Sequence, residues 1–161
     1  MVSFTTLALL ATSAIAGPVV RDIAIPKNWH WKVENCEAGC GRRGCYYYFN
    51  VTVPSVENGP AGVKALCNVY EQGYENSFTV PSTYTDCRLL EGVNNGVAAR
   101  PSLRTSDGNG PPKEIEVSFL YAGYGDRPAY NFSGSHKVTY NQFVSPPLNF
   151  TITPKKVFGV A

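Results

Sequence analysis

The sequence predicts an all-β fold: one disulfide-stapled domain, an antiparallel β-barrel or β-sandwich, over residues 28–157. Three observations lead there. Period-two alternation recurs along the chain and is clearest from Glu114 to Tyr121, where Ile115, Val117, Phe119 and Tyr121 share one face and Glu114, Glu116 and Ser118 the other. No helical period of ten or more residues intervenes, so there are no crossover helices and the strands must pair antiparallel. A sheet of this many strands closes or splits into two layers to hide its edges. The composition agrees, with ten Tyr, eight Phe, fifteen Gly and twelve Pro against one Met in 161 residues. Aromatic rings suit a pleated, half-buried surface, and Gly and Pro punctuate it.

From the N-terminus, the apolar stretch Leu7 to Ile15 and the small residues of Ala14-Ile15-Ala16 read as a signal peptide over residues 1–16, cleaved before Gly17. That stretch is too short for a membrane span, and no later one approaches the ~20 apolar residues required. A secreted, extracellular chain is the expectation. Residues 17–27, bracketed by Pro18 and Pro26, form a loosely attached lead segment. Strand-like runs follow at Trp29 to Val33, Tyr46 to Val53, Val63 to Tyr70, Ser77 to Val80, Asp86 to Leu90, Glu114 to Tyr121, Ala129 to Phe132, Lys137 to Phe143 and Leu148 to Thr153. Ser133-Gly134-Ser135 reads as the turn of a hairpin between two of them. The long unpatterned segment Gly92 to Lys113, rich in Gly, Asn, Pro and Ser, reads as a loop.

An oxidising compartment turns the five cysteines into disulfide chemistry. Cys67 and Cys87 stand in consecutive strand-like runs and are expected to pair; Cys36, Cys40 and Cys45 crowd a Gly-rich stretch where two of the three can pair, with Cys36–Cys45 preferred and Cys40 left as the thiol. That thiol is either buried and inert or free to form a disulfide-linked homodimer. A zinc site from Cys36, Cys40, Cys45 and His30 has enough ligands, but the spacing is no finger pattern and secretion favours oxidation. No metal or other cofactor is expected. Asn50, Asn131 and Asn149 each open an Asn-x-Ser/Thr glycosylation acceptor, and alternation turns Asn149 and Thr151 outwards, away from Leu148, Phe150 and Ile152.

A net charge of +2 is too weak to draw the chain onto a polyanion, so nucleic acid is a poor partner. Neither of the two histidines, His30 and His136, stands in a nucleophile motif. A small ribonuclease could be assembled from His136, Glu114, Glu116 and Arg88, yet Glu114 and Glu116 alternate with core residues as any exposed face does. No enzyme activity is expected. The run Tyr46-Tyr47-Tyr48-Phe49 is more distinctive, since Tyr46 and Tyr48 share a face and could stack on sugar rings. Within the 92–113 segment Arg100, Arg104 and Lys113 are opposed only by Asp107 and are the expected charged contacts to an acidic partner.

Trp31-x-Val33 at the domain start, the Cys36 to Cys45 region leading into Tyr46-Tyr47-Tyr48-Phe49-Asn50-Val51, the successive Cys67 and Cys87, and the stretch Ser145-Pro146-Pro147-Leu148-Asn149-Phe150-Thr151-Ile152 together resemble the secreted fungal Alternaria-major-allergen-like family. Within it, the likeness is to the hypersensitive-response-inducing elicitors of plant-pathogenic fungi and spans most of Trp29 to Lys155. The resemblance implies a secreted, non-enzymatic β-barrel protein that provokes or modulates plant defence by recognising a host protein or cell-wall component. A carbohydrate-binding module is the alternative, a small secreted hydrolase a more distant one. The chain departs from the family in having no cysteine after Cys87 and three before the first long strand.

Overall fold

The computed structural model describes residues 24–41, 44–71, 74–75, 78–79, 82–102, 114–123, 125, 128–138 and 146–160. The expected signal peptide lies outside them, as do Arg104 and Lys113. The elements are β1 (Trp31–Gly41), β2 (Gly44–Val53), β3 (Val63–Tyr70), β4 (Tyr74–Glu75), β5 (Phe78–Thr79), β6 (Thr85–Asp86), β7 (Arg88–Glu91), β8 (Asn95–Pro101), β9 (Glu114–Tyr121), β10 (Ala129–Lys137), β11 (Leu148–Ile152) and β12 (Lys156–Val160). They form two five-stranded antiparallel sheets, ordered β11-β1-β2-β3-β7 and β12-β10-β9-β8-β6, beside the small β4-β5 pair. The sheets do not close on one another, so of the two expected architectures the fold is the sandwich.

Among the described strands the chain passes from one sheet to the other five times, and two of these passages join one edge strand directly to another. Between β6 and β7 it crosses through Cys87, and between β11 and β12 through residues 153–155. Strands that switch sheets are how sandwich corners are made. Both pairs of edge strands are therefore consecutive in the chain.

The core fills the space between the layers. β2 shows why: Cys45, Tyr47, Phe49, Val51 and Val53 alternate inwards and are buried, while Tyr46, Tyr48, Asn50 and Thr52 face out. From the other sheet come Val97 and Ala99, Ile115, Val117 and Phe119, and Phe132. Trp29 ties the layers together, meeting Phe132 edge-on at 5.0 Å and Trp31 edge-on at 5.6 Å between ring centroids, a preferred aromatic geometry. Its Nε1–H donates to the Pro54 carbonyl at 2.8 Å.

Four expectations are corrected. β1 does not stop at Val33 but runs to Gly41, because a bulge at Asn35, whose φ is 55°, shifts the register and turns Cys36 and Ala38 inwards in place of the odd-numbered positions. The cysteine-rich stretch is thus a strand and its hairpin. Ser133-Gly134-Ser135 is no turn but the interior of β10, with Gly134 in register with Val117. Residues 95–101, placed in a loop by the sequence, form β8 between β6 and β9. Finally, β12 carries the domain to Val160, beyond the expected end at 157.

Candidate recognition surface

With the interior packed, chemistry accessible to a partner sits on the outer faces. On the second sheet, Arg100 of β8 stands in register with Glu116 of β9. Its Nε and NH2 groups both donate to Glu116 Oε2, at 2.8 and 2.7 Å. The guanidinium carbon lies 4.5 Å above the centre of the Tyr84 ring. Burial, then the adjacent Glu116 carboxylate, push the Tyr84 hydroxyl up to about 12. Arg100 is therefore not the free loop cation that the sequence suggested: it is a planar fork held by a carboxylate against the face of a tyrosine ring, and Tyr84 is a member that the sequence did not single out. Replacing Arg100 by Ala is expected to cost about 1–2 kcal/mol, and Arg100→Lys to restore only part of it because an ammonium cannot reproduce the fork. Urea titration of the three proteins measures both.

Two shallow grooves flank this group. One, of about 190 Å³, sets Glu114 and Glu116 against Lys155 and Lys156 with Ser133 and Ser135 between them. The other, of about 200 Å³, runs over Gly96 and Ala98 between Tyr84, Leu120 and Asn131. Both are open and shallow, the first lined by charged and hydroxyl side chains and the second more apolar, and both are accessible to a larger partner.

The outer face of the first sheet is aromatic. Tyr46 is in register with Gly39 on one side and Tyr70 on the other. Its ring lies across Gly39, where a Cβ would come within 2.7 Å of it. Tyr48, 40% exposed, and Tyr70, 62% exposed, complete the cluster. Tyr70 joins it only through the β2–β3 register, which no local pattern in the sequence discloses.

The other sequence candidates are dispersed. His136 pairs in register with Ile115, hence on the face opposite Glu114 and Glu116, and stacks on Phe150 at 4.1 Å. Arg88 lies on β7 in the other sheet, so the ribonuclease set is not brought together. His30 Nδ1 is 2.8 Å from Thr153 Oγ1. Asn149 is exposed and its Oδ1 accepts from the Asn35 backbone N–H at 2.9 Å; Asn50 and Asn131 are half-buried on outer sheet faces.

Cys67 and Cys87 are joined. The second bridge is corrected: Cys40, not Cys36, bonds Cys45, its register partner across the β1–β2 hairpin, and the unpaired thiol is Cys36. The bulge explains the exchange, since it points Cys36 into the core. The same arrangement takes Cys40 and Cys45 out of the zinc quartet weighed, and not favoured, from the sequence, and among the described residues there is no cluster of metal-ligating side chains. Cys36 is fully buried, so in the folded chain it is not placed to bond a second copy. Burial first, and the nearby Glu37 charge second, push this thiol from its ordinary 9.0 up to about 11. A thiol held protonated in the native state contributes stability below pH 9 that is lost as pH climbs towards 11. Cys36→Ala is expected to flatten the decline of stability across that alkaline window, as read by denaturant titration. Alkylation at neutral pH should modify Cys36 only after unfolding.

Compared with known proteins, the chain matches no family model, no curated protein and no solved structure.

Proposed function

We propose that this chain is a secreted, non-enzymatic effector or elicitor that triggers or modulates plant defence by surface recognition of a host protein or wall component. The observation that carries the reading is the division of the described residues into a buried apolar core between the sheets and outer faces that present shallow open grooves and clustered aromatic rings. Such faces give affinity through shape, hydrogen bonding and aromatic anchors rather than through an enclosed reaction site. The two disulfides suit an oxidising exterior. Among the described residues no helix is long and apolar enough to cross a membrane. The likeness in cysteine order and strand pattern to the Alternaria-major-allergen-like elicitors supplies the biological direction of the proposal.

Infiltration of purified native protein into leaves of several plants, with heat-denatured protein alongside, tests it. Local cell death or induction of defence markers by the native protein alone is the expected result. Absence of any response in every host would overturn the reading. A second reading, binding of sugar rings to the Tyr46, Tyr48 and Tyr70 face, is favoured by that cluster's exposure. Retention on a glycan array that Tyr70→Ala and Tyr48→Ala abolish would select it.

A further inference from the structure

The outer face of the second sheet exposes two large apolar side chains, Leu120 of β9 at 37% and Phe158 of β12 at 54%. Asn131 of β10 stands between them, in register with Leu120 on one side and with Phe158 on the other. Directly opposed residues on antiparallel strands turn to the same face with Cβ atoms about 5 Å apart. Leu120, Asn131 and Phe158 therefore form one row across the sheet. Asn131 opens the acceptor Asn131-Phe132-Ser133. The Ser118 hydroxyl donates to Asn131 Oδ1 at 2.6 Å, holding the amide by its oxygen rather than its nitrogen. Beside the row runs the groove floored by Gly96 and Ala98.

We propose that Asn131 carries an N-linked glycan whose innermost N-acetylhexosamine lies down on this row, packing its apolar C–H face against Leu120 and Phe158 instead of projecting into solvent. The inference rests on the secretory route of the preceding proposal but not on any effect in plants. In the transfer, Asn131 Nδ2 bonds to the anomeric carbon of an oligosaccharide carried on a lipid diphosphate. The new C–N bond replaces the C–O bond to phosphate; the diphosphate leaves with that electron pair, and the amide nitrogen gives up one proton. Ser133, the hydroxyl residue of the acceptor, is only 5% exposed in the finished sheet, so transfer precedes the pairing of β10.

Once β9, β10 and β12 are paired, the tethered sugar has an apolar strip within reach on either side. Covering it removes exposed hydrocarbon from water and shields the face next to edge strand β12 from pairing with other chains. Asn149 offers an internal contrast. It is exposed on the edge strand β11, which has a paired strand on one side only, whereas β10 lies between β9 and β12, so a glycan there would project freely.

The chain is to be expressed in yeast behind a standard secretory leader, so that export does not depend on residues 1–16, whose own activity as a leader is a separate assay. Mass spectrometry of the Asn131 peptide reads occupancy, and release by a peptide amidase acting on native protein reads how far the sugar is held. Asn131 is expected to be occupied and its glycan released on the order of tenfold more slowly than from denatured protein. The double variant Leu120→Ser, Phe158→Ser, which alters only exposed side chains, is expected to keep occupancy and lose that protection. Secreted protein unmodified at Asn131, or release from native protein that the double variant leaves unchanged, would overturn the proposal.

Discussion

Substituting Gly134 by Val is expected to lower stability by about 3 kcal/mol, a large fraction of the ~5–15 kcal/mol that holds a typical domain folded. Gly134 is buried in β10 directly beneath the crossing from β11 to β12. A Cβ there would stand 2.7 Å from the Thr153 carbonyl oxygen, 2.8 Å from Ile152 Cγ2 and 3.0 Å from Pro154 Cα. Two of those three atoms are backbone, so the neighbour cannot rotate away as a side chain would. The crossing is also tied to β10 next door, through the Lys155 N–H bonded to the Ser133 carbonyl at 2.8 Å. Denaturant unfolding of Gly134→Ala and Gly134→Val, ordered by increasing bulk, checks the account. A loss below about 1 kcal/mol for Val would mean that the crossing yields easily.

The second large effect is expected from Cys67→Ala, Cys87→Ala. The bridge joins β3 of one sheet to the point where the chain steps across to the other, and Cys87 N–H donates to the Val97 carbonyl in the opposite sheet at 2.8 Å. Its two half-cystines are 20 residues apart, and a loop of that length loses about 3 kcal/mol of denatured-state entropy by closure. Both positions are buried, so lost packing adds to the effect. Heat or denaturant unfolding without reductant measures it. By contrast Cys40→Ala, Cys45→Ala is expected to cost less, since that bridge closes a hairpin of sequence separation 5 whose ladder already holds it.

These two sites also show where the sequence is transparent and where it is opaque. β9 is legible in full because its first six residues alternate polar and apolar without interruption and its inward side chains are large and apolar. β8 escapes notice because its inward positions are Asn95, Val97, Ala99 and Pro101 and its outward ones begin with Gly96 and Ala98, so the contrast between faces is lost. Asn95 can sit inwards only because its amide is satisfied, donating to the Ala61 carbonyl and accepting from the Ala122 N–H. The end of β1 is hidden by one inserted residue at Asn35, which inverts the face of everything after it. Gly134 is read as a turn because Ser-Gly-Ser carries turn chemistry; a glycine required by the close approach of a distant backbone has the same letters. The candidate recognition surface is less legible still. Arg100 is visible in the sequence, but its partners Glu116 and Tyr84 become neighbours only through strand register and the placement of the segment before β6.

Because both pairs of edge strands are continuous with one another, neither sheet can slide or peel away without dragging a corner of the other. Local openings that expose one sheet at a time are suppressed, and the domain should melt as a single cooperative unit. Amide hydrogens of β2 in one layer and β9 in the other should then exchange through the same global event. For a chain secreted as proposed, cleavage within the paired strands then waits on complete unfolding, and survival of the sandwich is set by how rarely it comes apart as a whole.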